Sequence, residues 1–143
     1  MNILFFLTPK SEVDYIEEEA SLLATVRKMY ECSYSEIPVV SRSGKYAGTI
    51  KSGDLLGYLF ENREMTLEGS DSIGIAGIRK VRDNKAVNVN CHIEDMVGRI
   101  LNQNFVPVVD DEENFIGIIT RRAVVKYLND YYVMHNSNET GDR

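Results

Sequence analysis

The sequence predicts an α/β fold of the α+β type, in which two βαββα repeats pack through their sheets as a pseudo-two-fold pair. Apolar segments that begin at Ile37 recur from Val106 at a constant offset of 69 residues. Both copies contain a Pro-Val-Val triplet, then a glycine within a second apolar run. A helical pattern precedes each copy. A shared proline and glycine in fixed order indicate a duplication.

The chain begins with a short apolar run, residues 3–7, that ends at Thr8 and Pro9. Five residues are too few for the hydrophobic part of a signal peptide or for a membrane span. We therefore expect an extended segment or a first turn that packs onto the core, and no association with a membrane.

The first helix is predicted over residues 21–30, because its apolar residues follow helical spacing and Ser21 is a suitable N-cap. The equivalent helix covers residues 92–101. Here the copies align at an offset of 71, which places two extra residues of the first copy in the turn at 31–36.

Each helix is followed by a predicted β-hairpin with a polar turn. Pro38 and Pro107 are expected at strand starts, where a missing N–H is tolerated. Gly48 and Gly117 lie inside strands and indicate a close backbone approach or a bulge. The predicted strands are residues 37–40, 46–50, 106–109 and 115–119.

A closing helix completes each repeat, at residues 53–60 and 122–132. The predicted organisation has four parts: repeat 1 at 8–62, a glycine- and serine-rich connector at 63–78, repeat 2 at 79–132, and a polar, frayed tail at 133–143.

Composition argues against several function classes. The formal charge of −6 disfavours a general polyanion-binding surface. The basic segment 79–85 is interpreted as a solvated linker beside the repeats, and its few cations offer little counterion release, so no nucleic-acid partner is expected. Cys32 and Cys91 form no CxxC pattern and are predicted to be reduced thiols of a cytoplasmic protein.

No catalytic or metal-binding pattern is found. His92 and His135 have no nucleophile or acid partner at a suitable spacing, and the sequence contains no Walker or GxGxxG loop. We therefore predict a protein that is not an enzyme, with no catalytic residues, no metal and no required cofactor.

The helix, the Pro-Val-Val strand, the strand-to-helix junction and the tandem duplication together resemble a pair of CBS (cystathionine-β-synthase) domains, over roughly residues 8–132. The resemblance implies a cleft between the repeats that binds an adenosine compound as a regulatory ligand. The candidates are AMP, ADP, ATP or cyclic di-AMP, with S-adenosylmethionine ranked behind them.

In such families a Gly-h-h-[Ser/Thr]-x-x-[Asp/Asn] motif supplies a hydroxyl for phosphate and an acid for ribose. The first copy keeps the acid as Asp54 but has Lys51 at the hydroxyl position. The second keeps Thr120 but has Ala123 at the acid position, after Arg121 and Arg122. These arginines suit phosphate. The alternative interpretations are a helix-terminal acid for Asp54, a strand-end or N-cap residue for Thr120, and solvated charges for the arginines.

The resemblance also implies that adenine lies against the backbone of the first strand and of the segment before Pro-Val-Val, with the start of the second copy beside the same cleft. The residues that it assigns there are Ile37, Pro38, Lys85, Val87, Val106 and Pro107.

A partner surface is predicted from the last helix, which is apolar at helical spacing. We expect a homodimer, with packing inside the monomer as the alternative interpretation of these residues. They are Val124, Tyr127, Leu128, Tyr131 and Tyr132. A ligand-sensing module also implies an unidentified regulated protein. The rival hypothesis is a structural or protein-interaction pair with degenerate clefts, which the departures at Lys51 and Ala123 favour.

Overall fold

A computed structural model describes residues 1–78, 80 and 83–139. Within them the helices are α1 (Leu22–Glu31), α2 (Ser52–Glu61), α3 (Ile93–Ile100) and α4 (Arg121–Glu139). The strands are β1 (Thr8–Pro9), β2 (Ile16–Glu17), β3 (Glu36–Val40), β4 (Tyr46–Lys51), β5 (Val87–Asn88), β6 (Phe105–Val109) and β7 (Phe115–Thr120). Short 3-10 helices cover Ile3–Phe6, Lys10–Glu12, Gly69–Ser72 and Ile75–Gly77.

The strands form two sheets, one for each repeat. The first has the order β2-β3-β4, and the second has the order β1-β7-β6-β5. In both hairpins the register shifts at the same place, after Val39 in β3 and after Val108 in β6. These matching irregularities confirm that the two halves are copies of one unit, and the predicted fold class is confirmed with them.

The N-terminal segment leaves its own repeat and completes the other one. Strand β1 pairs antiparallel with β7, so Thr8 lies opposite Ile118 and Pro9 opposite Gly117. The preceding turn buries Ile3 and Phe6 in the core of repeat 2. The expectation of a first turn packed onto the core is thus confirmed. The same segment connects the two repeats, because it precedes repeat 1 in the chain and packs on repeat 2.

Two apolar cores lie in the two repeats. The first joins α1, α2 and the first sheet, with Leu22 and Ile37 almost fully buried. The second joins α3, the start of α4 and the second sheet around Met96 and Val106. Between the repeats, Phe115 stacks against Tyr46 with ring centroids 6.3 Å apart.

Most predicted element positions agree with the structure. Ser21 caps α1, because its side-chain oxygen accepts a hydrogen bond from the Ala24 N–H at 3.1 Å. The main difference is α4, which continues past the predicted end at Tyr132 to Glu139. Local i to i−4 contacts support the extension, such as the His135 ring stacked on Tyr131 at 3.9 Å.

Strands β3 and β6 begin one residue earlier than predicted, so the prolines lie further from the strand starts than expected. Pro38 and Pro107 are the third residues of β3 and β6, not the first. They are tolerated because β2 and β5 pair with these strands only beyond the prolines, starting at Val39 and Val108.

Two predicted features fall partly outside the described residues. The described residues do not include Arg79, Val81 and Arg82 of the basic segment. They also do not include residues 140–143 of the tail. In the described part of the chain, no helix combines the length and hydropathy that a bilayer crossing requires.

Candidate functional site

A cavity of about 280 Å³ lies between the two repeats. Repeat 1 provides one wall, through β3 and the segment between β1 and β2, and repeat 2 provides the other through β6 and β7. The lining residues are Thr8, Glu12, Val13, Asp14, Tyr34, Glu36, Pro38, Asn104, Phe105, Ile118 and Thr120.

The cavity exists because the first repeat's leading segment crosses between the sheets. β1 is held against β7, whereas β2 is held against β3 only at Val39 and Val40. The stretch between them, residues 10–15, therefore spans the gap and leaves the edge of β3 open at Pro38. An open edge beside a proline gives the cavity an apolar floor without leaving an unpaired N–H.

Close contact between β1 and β7 depends on Gly117. Its φ of 156° is unfavourable for other residues, and a β-carbon there would lie 2.2 Å from the carbonyl oxygen of Thr8. Gly48 occupies the equivalent position in repeat 1, where a β-carbon would instead meet the side chains of Lys80 and Asp83. The predicted close backbone approach is confirmed at Gly117, and the alternative, a bulge, is found beside both glycines, where the register of each hairpin shifts.

An aromatic side chain forms one edge of the cavity. Tyr34 follows Ser33, whose positive φ of 57° turns the chain after α1. The Tyr34 hydroxyl donates a hydrogen bond to the Asp14 carboxylate at 2.9 Å, and this bond raises the pKa of Tyr34. Because 44% of Tyr34 stays exposed, its ring is accessible to a ligand.

A charged pair lies beside the cavity. The Lys51 ammonium is 3.4 Å from Oε1 of Glu36, and both side chains are largely buried. Oε2 of Glu36 is also buried, and it has no hydrogen-bond partner among the described residues. Glu36, but not Lys51, is among the lining residues.

Thr120 lies where β7 meets α4. Its hydroxyl accepts a hydrogen bond from the Ala123 N–H at 3.1 Å, which is the N-cap arrangement, and the residue also lines the cavity. Arg121 turns away, since its Nε donates to the carbonyl of Ile100 at 3.0 Å. Arg122 is exposed on the first turn of α4. The cavity therefore meets a helix N-terminus, where anions are stabilised.

The equivalent cleft beside repeat 1 is filled by protein groups. The Tyr46 hydroxyl donates to the carbonyl of Asn84 at 2.5 Å and contacts Oγ1 of Thr49 at 2.6 Å. The Thr49 N–H donates to Asp83 at 3.0 Å. Burial raises the pKa of Tyr46 strongly, so its hydroxyl stays protonated. In the open cavity the position equivalent to Thr49 is Ile118, whose side chain has no hydroxyl to form such a hydrogen bond.

Of the predicted ligand-binding residues, the structure brings Pro38 and Thr120 to the cavity wall. Asp54 is 4% exposed and accepts a hydrogen bond from the Lys51 N–H at 2.9 Å, as a helix-terminal acid does. Lys85 is exposed, and its backbone is bound on both sides by the Gln103 amide.

The remaining predicted residues lie in the protein interior. Ile37 belongs to the first core, and Val87 and Val106 belong to the second. Pro107 is buried in the middle of β6. Their side chains are buried, those of Ile37, Val106 and Pro107 on central strands and that of Val87 on the edge strand β5, so a ligand could reach them only through the backbone.

The sequence did not identify six cavity residues of repeat 1, the first of which is Thr8 on β1. Glu12, Val13 and Asp14 belong to the crossing segment, and Tyr34 and Glu36 lie before and at the start of β3. One available signal was asymmetry: positions equivalent to Tyr34 and Glu36 are Gln103 and Phe105 in repeat 2. No group of three His, Cys, Asp or Glu side chains in the described residues could hold a metal ion.

Comparison with known proteins gives consistent matches. The family model of the CBS domain matches residues 7–61 and 78–130. Cyclic di-AMP receptor B of Bacillus subtilis (strain 168) is 27% identical over 124 residues, which are 87% of this chain and 84% of that protein.

Solved structures agree with this family match. A CBS domain protein from Streptococcus pneumoniae TIGR4 superposes with a TM-score of 0.80 and 26% identity, covering 90% of this chain and 86% of that one. The Listeria monocytogenes CbpB protein in complex with c-di-AMP superposes with a TM-score of 0.79 and 23% identity, covering 92% and 98%.

Proposed function

Because the chain belongs to the CBS-domain family, we propose that it is a regulatory module that binds an adenine nucleotide between its repeats. Cyclic di-AMP is the first candidate, and AMP, ADP and ATP follow. The B. subtilis relative is a cyclic di-AMP receptor, and the L. monocytogenes neighbour was solved with this ligand. In this proposal the chain catalyses no reaction and requires no cofactor, and its cytoplasmic location stays a prediction.

The observation that carries the proposal is the composition of the inter-repeat cavity. Pro38, Phe105 and Ile118 offer apolar surface for a purine, and the exposed ring of Tyr34 offers a face for stacking. Thr120 and the first turn of α4 lie at the same cavity, which suits a phosphate at its rim. Arg122, exposed on that turn, is the nearest candidate for a mobile phosphate contact.

Ligand binding at this position would connect the repeats. The crossing segment belongs to repeat 1, whereas β7 and α4 belong to repeat 2. A ligand that touches both binds one relative arrangement better than others, and so shifts the population that a regulated protein meets.

Cyclic di-AMP at a concentration 100-fold above its Kd should stabilise the native chain by about 2.7 kcal/mol, which raises Tm by roughly 5–10 °C. Differential scanning fluorimetry measures the shift, with cyclic di-GMP as the matched control. No shift with cyclic di-AMP, AMP, ATP or S-adenosylmethionine at millimolar concentration would contradict the proposal.

One observation favours the rival function, a structural or protein-interaction pair. The cleft beside repeat 1 is already occupied by the hydrogen bonds of Tyr46, Thr49 and Asp83. If the open cavity also bound no nucleotide, both clefts would serve only to join the repeats. The thermal-shift experiment separates these two functions.

We also propose that the chain forms a homodimer through its helices. In repeat 1, Leu56 and Leu59 are 66% and 45% exposed, next to a groove of about 490 Å³ between α1 and α2. Their equivalents in repeat 2, Val125 and Leu128, are 56% and 57% exposed. A second copy could cover both equivalent faces at once.

Two of the predicted contact residues serve the monomer instead. Val124 is buried in the second core, and Tyr127 packs edge-to-face against Phe5 and Phe6. For these two residues the alternative interpretation, packing inside the monomer, therefore holds, because the N-terminal turn covers this side of α4. Leu128, Tyr131 and Tyr132 remain exposed.

Leu128→Asp should shift the chain from dimer to monomer at micromolar concentration, since a carboxylate cannot be desolvated cheaply in an apolar interface. Sedimentation velocity measures the shift. Asn90→Asp, an exposed position in the turn before α3, adds the same charge and should leave the dimer intact. A wild-type chain that sediments as a monomer would contradict the dimer.

A further inference from the structure

We infer that Glu36 is a specificity-determining residue of the cavity, where it accepts a hydrogen bond from a neutral donor of the bound nucleoside. This inference rests on the proposed function. The first observation is its placement: Glu36 begins β3, lines the cavity and faces β6 and β7 of the other repeat across it.

The second observation is an unused acceptor. Oε1 of Glu36 is 3.4 Å from the Lys51 ammonium, which is a long contact, whereas Oε2 is buried and unpartnered within the described part of the chain. A buried carboxylate oxygen without a hydrogen-bond partner has lost its contacts with water and gained no contact in exchange, which is unfavourable in free energy. A ligand with a donor that reached Oε2 would replace the lost hydrogen bond. A ligand without such a donor would leave Oε2 unsatisfied.

The third observation is the charge of the cavity lining. Three of its side chains are carboxylates, Glu12, Asp14 and Glu36, and none of its described lining residues is basic. Glu12 and Asp14 are exposed, so only Glu36 combines a negative charge with burial. An anionic phosphate is therefore repelled from the inner part of the cavity, and a neutral, donor-bearing nucleoside is favoured there.

The second repeat explains why a carboxylate is needed at this position. Its own motif has Ala123 where an acid would hold a ribose, so the first turn of α4 offers no carboxylate to the ligand. At the position equivalent to Glu36, repeat 2 has the buried Phe105. The acceptor of this cavity is thus provided by repeat 1 for a ligand that also touches repeat 2.

Cyclic di-AMP has two kinds of neutral donor that suit Glu36, the exocyclic amine of adenine and the free 2′-hydroxyl of ribose. The analogue of cyclic di-AMP with unsubstituted purine bases has hydrogen in place of the amine, and the 2′-deoxy analogue of cyclic di-AMP lacks the hydroxyl. Calorimetric titration with these three compounds identifies the donor. The wild type should bind one analogue at least about tenfold more weakly than cyclic di-AMP.

Glu36→Gln should reduce that discrimination to within about threefold, because a neutral amide oxygen is a weaker acceptor than a carboxylate oxygen. Glu18→Gln, an exposed position after β2, is the matched control and should keep the wild-type ratios.

Equal affinities of the wild type for all three compounds would overturn the inference, and this result needs no variant. Unchanged ratios in Glu36→Gln would overturn it as well. Both outcomes leave nucleotide binding itself intact. If the wild type bound none of the three, the proposed function for this ligand and the role of Glu36 would be overturned together.

Discussion

Gly117→Ala should lower the free energy of unfolding by about 3–4 kcal/mol, since it combines a strained backbone conformation with an overpacked contact. The added β-carbon would lie 2.2 Å from the carbonyl oxygen of Thr8 and 2.9 Å from the side chain of Leu7. Backbone cannot rotate away as a side chain can, so β1 would have to leave β7. Urea denaturation followed by circular dichroism measures the change.

Gly48→Ala is the matched control for this substitution. The nearest atoms there are Nζ of Lys80, at 2.0 Å, and Oδ1 of Asp83, at 2.9 Å. Both belong to side chains that can move, so we expect a smaller loss of about 1–2 kcal/mol from backbone strain. Equal losses at the two glycines would contradict the claim that β1 is held closely against β7.

The second large effect concerns the cavity. Tyr34→Ala should weaken the binding of cyclic di-AMP by at least about tenfold, because removing an aromatic face from a stacked base costs about 1–3 kcal/mol. Tyr34 is 44% exposed and lies outside both cores, so the fold should be retained. Isothermal titration calorimetry measures the affinity, and circular dichroism checks the fold.

Tyr34→Phe separates stacking from hydrogen bonding. It keeps the ring and loses the bond to Asp14, so the affinity should stay within about fivefold of the wild type. If phenylalanine weakened binding as much as alanine does, the hydroxyl and its carboxylate partner would be the main determinant. If neither variant weakened binding, the ligand would not contact this edge of the cavity.

The repeat architecture was predictable because its signals are local or periodic. The cap at Ser21, the spacing of apolar residues in α1 and the glycine inside each hairpin are visible in the sequence. The end of α4 was not predictable from the same signals. Residues 133–139 are mostly polar. They continue the helix of the preceding turn of α4, and no apolar face in their sequence indicates this.

The candidate site was only partly predictable, because it depends on the path of residues 10–15 between the sheets. Thr120 and Pro38 could be identified, since they lie in motifs. Asp14 and Glu36 could not, because a single carboxylate before a strand or at its first residue has no periodic signature. Ile37 and Val106 were assigned to the ligand through their backbone, and this stays a prediction, since their side chains are buried in the cores.

A crystal structure of the chain with cyclic di-AMP tests the inter-repeat site most directly. It should show the dinucleotide between Pro38, Tyr34 and Thr120, with a nucleoside donor at Oε2 of Glu36 and the phosphates toward the first turn of α4. Density for the ligand in the groove between α1 and α2, or an empty inter-repeat cavity at saturating ligand, would contradict the account.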